Sequence, residues 1–413
     1  MKNATEVIKA AIDGGNSSLK VIVNARTPHI YPNVSAANNN INYGVDKIYS
    51  TSKEHGRDLW DVKVTTDLDK DEQSVYSHVF GKMAEKFSSG LEHRSINTLK
   101  SQDMDLKRNL ITALAGTIAS NVIEGCEKID CSKVDVDLAV GLPYKEYLKG
   151  NGISIENYSN NLLGTHKVEF NSPYFKENKI SKITLNIRRV EVLIEGKGAL
   201  TSMVFSGDDK LVEDNSAEAL SELDGVYTSS IDIGNGSTEI ITNKFNAEYN
   251  VDKSGDYELA GLDFIIQPDY CTGTTKGIGH VIDDCIESLN KSNSQVGEIK
   301  RIDIENSFKM PTNKGILRGS KIDVNPYFKE HAIAFANDLA NKYINMFAKI
   351  ADKTSVKRIY ITGGGSFYNT IVDTFKKRLI EKGFDGDAVR TPRQPSPLTA
   401  NVLGYYEETF LSE

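Results

Sequence analysis

Short apolar runs separated by polar turns predict two pairs of strands, one near the start of the chain and one near its middle. The first pair comprises Val7–Ile12 and Leu19–Val23, and the second comprises Val226–Ile233 and Thr238–Thr242. Glycine and asparagine occupy the turn within each pair and tolerate the positive φ angles of a tight turn. Each pair is therefore predicted to form a β-hairpin.

The rest of the chain alternates between strand and helix patterns. Apolar residues recur at helical spacing over Lys107–Ile123, and a buried strand is predicted soon afterwards at Asp135–Val140. The other predicted strands are 166–170, 182–193 and 358–361, and the other predicted helices are 280–292, 328–352, 368–379 and 398–410. This alternation predicts an α/β fold. Residues 29–105 are more polar and contain the only tryptophan, Trp60, so they predict a small insertion domain with loops.

The two predicted hairpins are copies of each other. Ile12–Asn24 aligns without gaps on Ile231–Asn243, with seven of thirteen positions identical and a separation of 219 residues. A repeat at about half the chain length indicates two related domains rather than a solenoid of short units.

The turns of both hairpins have the composition of an anion-binding loop. Successive backbone N–H groups of a glycine-rich turn converge on one concave spot, and serine hydroxyls add further donors. The turn residues are Gly15, Asn16, Ser17 and Ser18 in the first copy and Gly234, Asn235, Gly236 and Ser237 in the second. Asp13 and Asp232 lie at the preceding strand ends, where a carboxylate can hold Mg²⁺ through water. We expect both turns to bind phosphate; the alternative for either turn alone is an ordinary β-turn.

Spacing and charge refine this expectation. Neither copy has the G-x-x-x-x-G-K-[ST] or G-x-G-x-x-G pattern that opens a helix in two other phosphate-binding loops. Lys20 in the first copy corresponds to Glu239 in the second. Only the first copy therefore offers a cation to a phosphate, which suits an asymmetric ligand.

Two further positions carry candidate chemistry at predicted strand ends. The strand at 358–361 leads into Gly363, Gly364, Gly365 and Ser366, and a predicted helix follows. Glycines there let a nucleoside approach the backbone closely, although a simple strand-to-helix turn has the same pattern. Glu146 follows the strand at Asp135–Val140 and is a candidate for orienting water; the alternative is a surface glutamate that starts a helix.

Composition and charge exclude several classes of protein. The 413 residues suggest two domains, and 49 basic against 57 acidic residues give a net charge of −8, which argues against coating nucleic acid. The N-terminus lacks an apolar signal core and no stretch is apolar enough for a membrane span. Four sparse cysteines are expected to be reduced thiols in a cytoplasmic protein, and neither they nor the seven histidines have zinc-site spacing.

Three motifs together resemble those of the superfamily that joins actin, heat-shock chaperones and sugar kinases. Asp13–Lys20 resembles its phosphate-1 motif, Asp232–Thr238 its phosphate-2 motif and Ile361–Gly365 its adenosine motif. They occur in family order at family-like spacing, and the resemblance spans essentially the whole chain.

Within this superfamily the chain looks most like the bacterial plasmid-segregation actins of the ParM/StbA type. Leu142–Tyr147 is similar to the Leu-Pro-x-x-Glu-Tyr stretch of that family. Val190–Val192, followed by Gly196–Ala199, is similar to its strand–helix segment before phosphate-2. Pro397–Tyr405 resembles its closing helix, which returns to the first domain.

The resemblance implies an actin-like α/β fold of two duplicated RNase H-like domains that face a nucleotide cleft, each with a smaller insertion subdomain. Domain I is expected at 1–226 with its insertion at about 29–105, and domain II at 227–398 with its insertion at about 262–330. A C-terminal helix at 399–413 is expected to return to domain I.

The resemblance also implies roles for individual residues. Lys20 would reach the β- and γ-phosphates of ATP or GTP, and Asp13 and Asp232 would contact Mg²⁺ through water. Glu146 and Asp232 would position or polarise the attacking water. The two hairpin turns would cradle the phosphates, and the segment from Gly363 to Ser366 would receive the nucleoside.

The implied function is a helical, head-to-tail filament driven by ATP or GTP hydrolysis. Such a filament would segregate low-copy plasmid DNA through a ParR-like adaptor protein bound to a centromere-like DNA site, in the cytoplasm and without a membrane partner. A small-molecule, sugar-type kinase of the same superfamily is the main alternative, and a non-hydrolysing structural relative is a second.

Overall fold

A computed structural model describes residues 7–37, 59–69, 72–85, 92–93, 99–149, 152–213, 216–251, 257–292, 299–309, 315–317, 322–350 and 352–411. Contacts divide the chain into two compact units. Unit 1 comprises Met1–Gly198 and Asn401–Glu413, and unit 2 comprises Ala199–Ala400.

Unit 1 is built on one large mixed sheet. Its strands are β1 Ile8–Gly14, β2 Ser18–Val23, β3 His29–Pro32, β4 Val34–Ala37, β5 Trp60–Asp69, β6 Glu72–Phe80, β7 Glu92–His93, β8 Val134–Leu142, β9 Gly164–Phe170 and β10 Lys182–Ile194. Within the described residues the strand order is β3-β2-β1-β8-β10-β9-β5-β6-β4-β7. The three central strands β1, β8 and β10 run parallel, so their carboxyl ends lie at one edge of the sheet.

Helix α2 fills the core against this sheet. Among the described residues of unit 1, the helices before the crossing into unit 2 are α1 Lys82–Glu85, α2 Met104–Ile123, α3 Tyr144–Tyr147, α4 Ile153–Asn160 and α5 Pro173–Glu177. The Asp103 carboxylate caps α2 by accepting the Leu106 N–H at 2.9 Å. Nearly every residue from Leu106 to Asn121 is buried, which fits an interior helix rather than an amphipathic surface one.

The described part of 29–105 differs from the separate insertion domain that its polarity predicts. Trp60 and Phe80 pack with Tyr31 in the main core of unit 1, and β5 pairs with β9 to continue the sheet. The alternation of buried Val62 and Val64 with exposed Lys63 makes β5 a strand with one face in the core. The asparagine cluster at 38–42 lies outside the described residues.

Unit 2 repeats the central topology of unit 1. Its strands are β11 Tyr227–Ile233, β12 Thr238–Val251, β13 Tyr257–Ile266, β14 Thr272–Thr274, β15 Val356–Thr362 and β16 Val389–Arg390. The order β13-β12-β11-β15-β16 has two antiparallel and two parallel pairings, as β3-β2-β1-β8-β10 does. The sequence repeat therefore corresponds to a repeat in three dimensions.

The helices of unit 2 cover this sheet. They are α6 Lys197–Phe205, which begins in unit 1, α7 Ala217–Ser221, α8 Ile278–Ser292, α9 Arg301–Lys309, α10 Asn325–Met346 and α11 Asn369–Ile380. Residues of α8, α9 and α10 share one core with the sheet, so the described part of 262–330 packs as part of unit 2.

The contacts place the division near Gly198 rather than at 226, where the sequence predicts it. The Gly225 N–H donates to the Phe245 carbonyl at 2.9 Å, and the Tyr360 hydroxyl donates to the Asp209 carbonyl at 2.9 Å. The Phe205 ring packs edge-on against Phe264. The described residues of 199–226 are therefore held by unit 2 although they precede its repeat.

Helix α12, Ala400–Phe410, belongs to unit 1 from Asn401 onwards. Its Val402, Tyr405 and Phe410 pack in a core cluster with Ala11 and Ala139 of the central strands. Gly198 and Gly404 let α6 and α12 approach closely, because a Cβ on Gly404 would lie 1.8 Å from the Gly198 carbonyl oxygen. Among the described residues, no helix is both long and apolar enough to cross a membrane.

Candidate functional site

The first hairpin places its charged residues directly opposite each other. Asp13 of β1 and Lys20 of β2 are register partners, and the Lys20 Nζ donates to Asp13 Oδ2 at 2.8 Å. Little of either side chain is exposed, 11% for Lys20 and 8% for Asp13. Burial raises the pKa of Asp13, but the ammonium groups of Lys20 and Lys100 outweigh it and hold that pKa below its usual range.

Asn33 holds the hairpin turn in shape, a role that the sequence does not predict. Its Nδ2 donates to the Gly15 carbonyl at 2.7 Å and its backbone N–H to the Ser17 carbonyl at 3.0 Å. Its Oδ1 in turn accepts from Asn109 of α2 at 2.9 Å. Because the C=O and N–H of a trans peptide point in opposite directions, two carbonyls turned towards Asn33 direct the following N–H groups the other way.

Three carboxylates lie at the carboxyl ends of the three parallel strands. Asp13 is in β1, Glu146 follows β8 and Glu195 follows β10. Ligands of open α/β sheets bind at this end of the strands. Asp13 and Glu146 are predicted from the sequence, whereas Glu195 is not.

Glu146 is buried and binds backbone N–H groups. Its Oε2 accepts the Lys100 N–H at 3.0 Å and its Oε1 accepts the Ser101 N–H at 2.7 Å. The side chain is therefore not that of a surface glutamate at a helix start. Each carboxylate oxygen has two lone-pair directions, so both keep room for a further donor such as water.

A glycine-rich segment at the start of α8 packs against the turn of the second hairpin. The Ile278 N–H donates to the Gly234 carbonyl at 2.9 Å, and the Gly279 N–H donates to the Asn235 carbonyl at 2.8 Å. A Cβ on Gly277 would lie 2.3 Å from the Gly234 oxygen, so this approach requires glycine. The start of α8 therefore holds the second turn in shape, as Asn33 holds the first.

The second hairpin keeps the aspartate but reverses the charge opposite it. Asp232 is the register partner of Glu239, which is 3% exposed. Glu239 packs against Gly273, where a Cβ would lie 2.4 Å from its Oε2. Gly236 and Ser237 complete the turn, with the Gly234 N–H donating to the Ser237 carbonyl at 2.9 Å.

The third glycine-rich segment lies beside Asp232 in the same unit. Thr362 ends β15 and its Oγ1 donates to Asp232 Oδ1 at 3.2 Å. Gly363 has a φ of +75°, and a Cβ there would lie 2.5 Å from Asp232 Oδ1. A Cβ on Gly364 would meet no atom within 4 Å, so its face is open. Gly365 and Ser366 continue in a short 3-10 helix, held by the Ser366 hydroxyl donating to the Gly363 carbonyl at 2.7 Å.

Comparison with known proteins identifies this arrangement. Residues 11–198 match the family model of the actin-like proteins' N-terminal domain. This segment is therefore similar to an actin-like N-terminal domain. No curated protein sequence matches the chain.

Solved structures extend the likeness to the whole chain. A 15-stranded ParM filament from Clostridium botulinum has a TM-score of 0.67 at 16% identity, covering 98% of this chain and 99% of that one. Bacillus thuringiensis ParM with ATP has a TM-score of 0.56 at 18% identity, covering 98% and 99%. The actin-like protein Alp7A has a TM-score of 0.63 at 15% identity, covering 98% and 96%. The fold is therefore actin-like from end to end.

The residues of the actin-like chain fit a magnesium nucleotide. The described residues hold no group of three or more His, Cys, Asp or Glu side chains that could cage a metal, and Mg²⁺ prefers to keep several waters beside one or two carboxylates. Unit 1 has the Asp13 carboxylate beside the Lys20 cation, and unit 2 has the Asp232 carboxylate in the same unit as the open face at Gly364.

We expect the isosteric change Asn33→Asp to loosen the first turn. A carboxylate at this position could not donate to the Gly15 carbonyl, and leaving that partly buried acceptor unpaired should lower the free energy of unfolding by about 1–3 kcal/mol. Nucleotide affinity should fall with it, since the turn loses its fixed shape. Urea unfolding and titration with a fluorescent nucleotide measure the two effects.

Asn178→Asp is the matched control, because it removes a comparable amide donor to the Tyr174 carbonyl at an exposed position. Wild-type nucleotide affinity in Asn33→Asp would show that the turn does not depend on this side chain.

Proposed function

We propose that the chain is a filament-forming NTPase of the ParM type that hydrolyses Mg-ATP or Mg-GTP. The observation that carries the proposal is the duplicated hairpin, with an aspartate before a glycine-rich turn in each unit of an actin-like fold. The near-complete coverage of a ParM filament subunit supports the filament part, because 99% of that chain has a counterpart here.

In this proposal each unit contributes its hairpin to binding one nucleotide. Lys20 binds the β- and γ-phosphates, and Asp13 and Asp232 hold Mg²⁺ through water. Glu146 and Asp232 orient the attacking water. Phosphoryl transfer needs mainly positioning and charge stabilisation, so a few fixed residues are sufficient.

The backbone completes the proposed nucleotide site. The turns Gly15–Ser18 and Gly234–Ser237 cradle the phosphates, and Gly363–Ser366 receives the nucleoside. The glycines that pack against Asp232, Ile233 and Gly234 keep the second turn and the nucleoside segment together in one unit.

Assembly follows from nucleotide-dependent domain closure. A closed nucleotide-bound subunit that favours head-to-tail contacts forms a helical filament, because a heterologous interface that does not close generates an open polymer. Hydrolysis then weakens the contact and allows disassembly. We propose that this cycle moves plasmid DNA in the cytoplasm through a ParR-like adaptor, since a net charge of −8 does not favour direct coating of DNA.

The test is right-angle light scattering with simultaneous phosphate release after Mg-ATP or Mg-GTP is added to the purified full chain. We expect scattering to rise and then to decay as nucleotide is consumed, with Mg-ADP and EDTA as controls that sustain no rise. A flat trace with phosphate release only after a small metabolite is added would replace this proposal with a kinase.

A further inference from the structure

A short segment before α2 is held from two sides by buried carboxylates. Lys100–Gln102 forms a single turn of 3-10 helix, which we call the strap. Glu146 accepts the two backbone N–H groups at its start, and Glu195 forms an ion pair with the Lys100 ammonium. Lys100, Glu146 and Glu195 are 5%, 5% and 6% exposed.

We propose that Lys100 and Glu195 are positioning residues for nucleotide hydrolysis, which fix the Glu146 carboxylate through the strap. This inference rests on the proposed function and says how the Glu146 carboxylate is held in place in that site. Neither residue is needed to contact the nucleotide.

The strand ends fix both carboxylates relative to each other. β8 and β10 are parallel neighbours, with Leu142 opposite Ile194, and the Glu195 N–H donates to the Leu142 carbonyl at 2.8 Å. Glu146 follows four residues after Leu142, in α3. Glu195 is therefore anchored to the strand from which Glu146 departs.

One residue joins the two carboxylates. The Lys100 backbone N–H binds Glu146 and its side chain binds Glu195, so the ion pair restrains the residue whose backbone N–H orients Glu146. The same ammonium acts on Asp13, whose pKa it helps to lower against the effect of burial. Lys100 thus connects the carboxylates of all three parallel strands.

Burial makes this arrangement sensitive to small changes. Removing one partner of a buried ion pair leaves an uncompensated charge, so the remaining group moves towards solvent or towards another partner. Loss of Glu195 would remove the ion-pair partner of the Lys100 side chain, and the strap would lose one of its attachments. A misplacement of about 1 Å at a reacting group costs up to about 10²-fold in rate.

The experiment compares Glu195→Gln with the wild type in the full chain. We expect the single-turnover rate of phosphate release to fall about 10–100-fold, with the Kd for a fluorescent nucleotide little changed. Hydrogen exchange without nucleotide should accelerate at the Lys100 and Ser101 amides, which Glu146 binds. Lys100→Arg should retain more activity than Lys100→Met, because only arginine keeps the charge.

Asp137→Asn is the matched control. Asp137 pairs with Arg188 at 3.1 Å and joins the same two strands away from their carboxyl ends. It should leave both the rate and the exchange at the strap unchanged. A thermal melt of each variant identifies any that fail to fold. If Glu195→Gln fails to fold, the rate and the strap exchange of Lys100→Arg, compared with the wild type, test the positioning role instead.

The outcomes separate this inference from the proposed function. An active wild type with an unaltered rate or unaltered strap exchange in folded Glu195→Gln would overturn the positioning role alone. A weakened Kd with an unchanged turnover rate would also overturn it, because the pair would then serve nucleotide binding. An inactive wild type would overturn the proposed function, and the positioning role with it.

Discussion

Replacing Glu146 with glutamine is expected to slow phosphate release by about 10²–10⁴-fold while filaments still assemble. Glutamine keeps the size of the side chain and one acceptor oxygen, but it cannot take a proton from or polarise the attacking water as a carboxylate does. In the proposed function, assembly depends on nucleotide binding by the hairpins and Lys20, which this change leaves intact. Filaments of Glu146→Gln should therefore persist long after wild-type filaments have decayed.

The structure adds a second consequence to the same change. Both carboxylate oxygens of Glu146 accept backbone N–H groups, so glutamine leaves one of them without an acceptor. We expect a loss of about 1–3 kcal/mol in unfolding free energy, measured by urea denaturation. Glu156→Gln, at an exposed position of α4, is the control for both measurements.

Light scattering and phosphate release on the same sample distinguish the possible roles of Glu146. Loss of assembly would assign Glu146 to nucleotide binding instead of water activation. An unchanged hydrolysis rate with reduced stability would reduce its role to capping the strap.

Replacing Gly404 with alanine is expected to destabilise unit 1 by about 3 kcal/mol. In an ordinary helix this change is favourable by about 1 kcal/mol, because alanine is the better helix former. Here the added methyl group would lie 1.8 Å from the Gly198 carbonyl oxygen and 2.4 Å from its carbon. The contact is backbone on backbone, so α6 and α12 must separate to admit it.

The midpoint of urea unfolding measures this effect, with Gly261→Ala as the control. A Cβ on Gly261 would meet only the Glu248 carboxylate, at 4.0 Å, so that change should be nearly neutral. A Gly404→Ala variant as stable as the wild type would show that α6 and α12 can separate without lowering the free energy of unfolding.

Local patterns in the sequence were sufficient for the hairpins and for the helices α2, α8, α10, α11 and α12. β1, β2, β11 and β12 lie where the apolar runs predict them, although β12 continues to Val251. The helix predicted at 328–352 begins earlier, at Asn325, because Pro326 is accommodated in its first turn. It ends at Met346. The actin-like fold is confirmed by the family model and the solved structures. It could be predicted because its motifs are local and occur in a fixed order.

Partners that are distant in sequence could not be predicted. Asn33 binds Asn109 across 76 positions and Lys100 binds Glu195 across 95, and neither pairing leaves a pattern in a short window. The polar composition of 29–105 concealed β5 and β6, although in β5 the exposed Lys63 lies between the buried Val62 and Val64. The roles assigned to Glu146 and Asp232 stay predictions.

The return of α12 to unit 1 determines the order in which the protein can mature during synthesis. The cluster that contains Ala11 and Ala139 is completed by Val402, Tyr405 and Phe410, which leave the ribosome only after all of unit 2. Because synthesis adds about 5–20 residues per second, the central strands of unit 1 lack these side chains for on the order of 10–40 s while unit 2 is made. A nascent chain stalled inside unit 2 therefore exposes apolar surface on an otherwise assembled sheet, and it should be a preferred client of ribosome-associated chaperones.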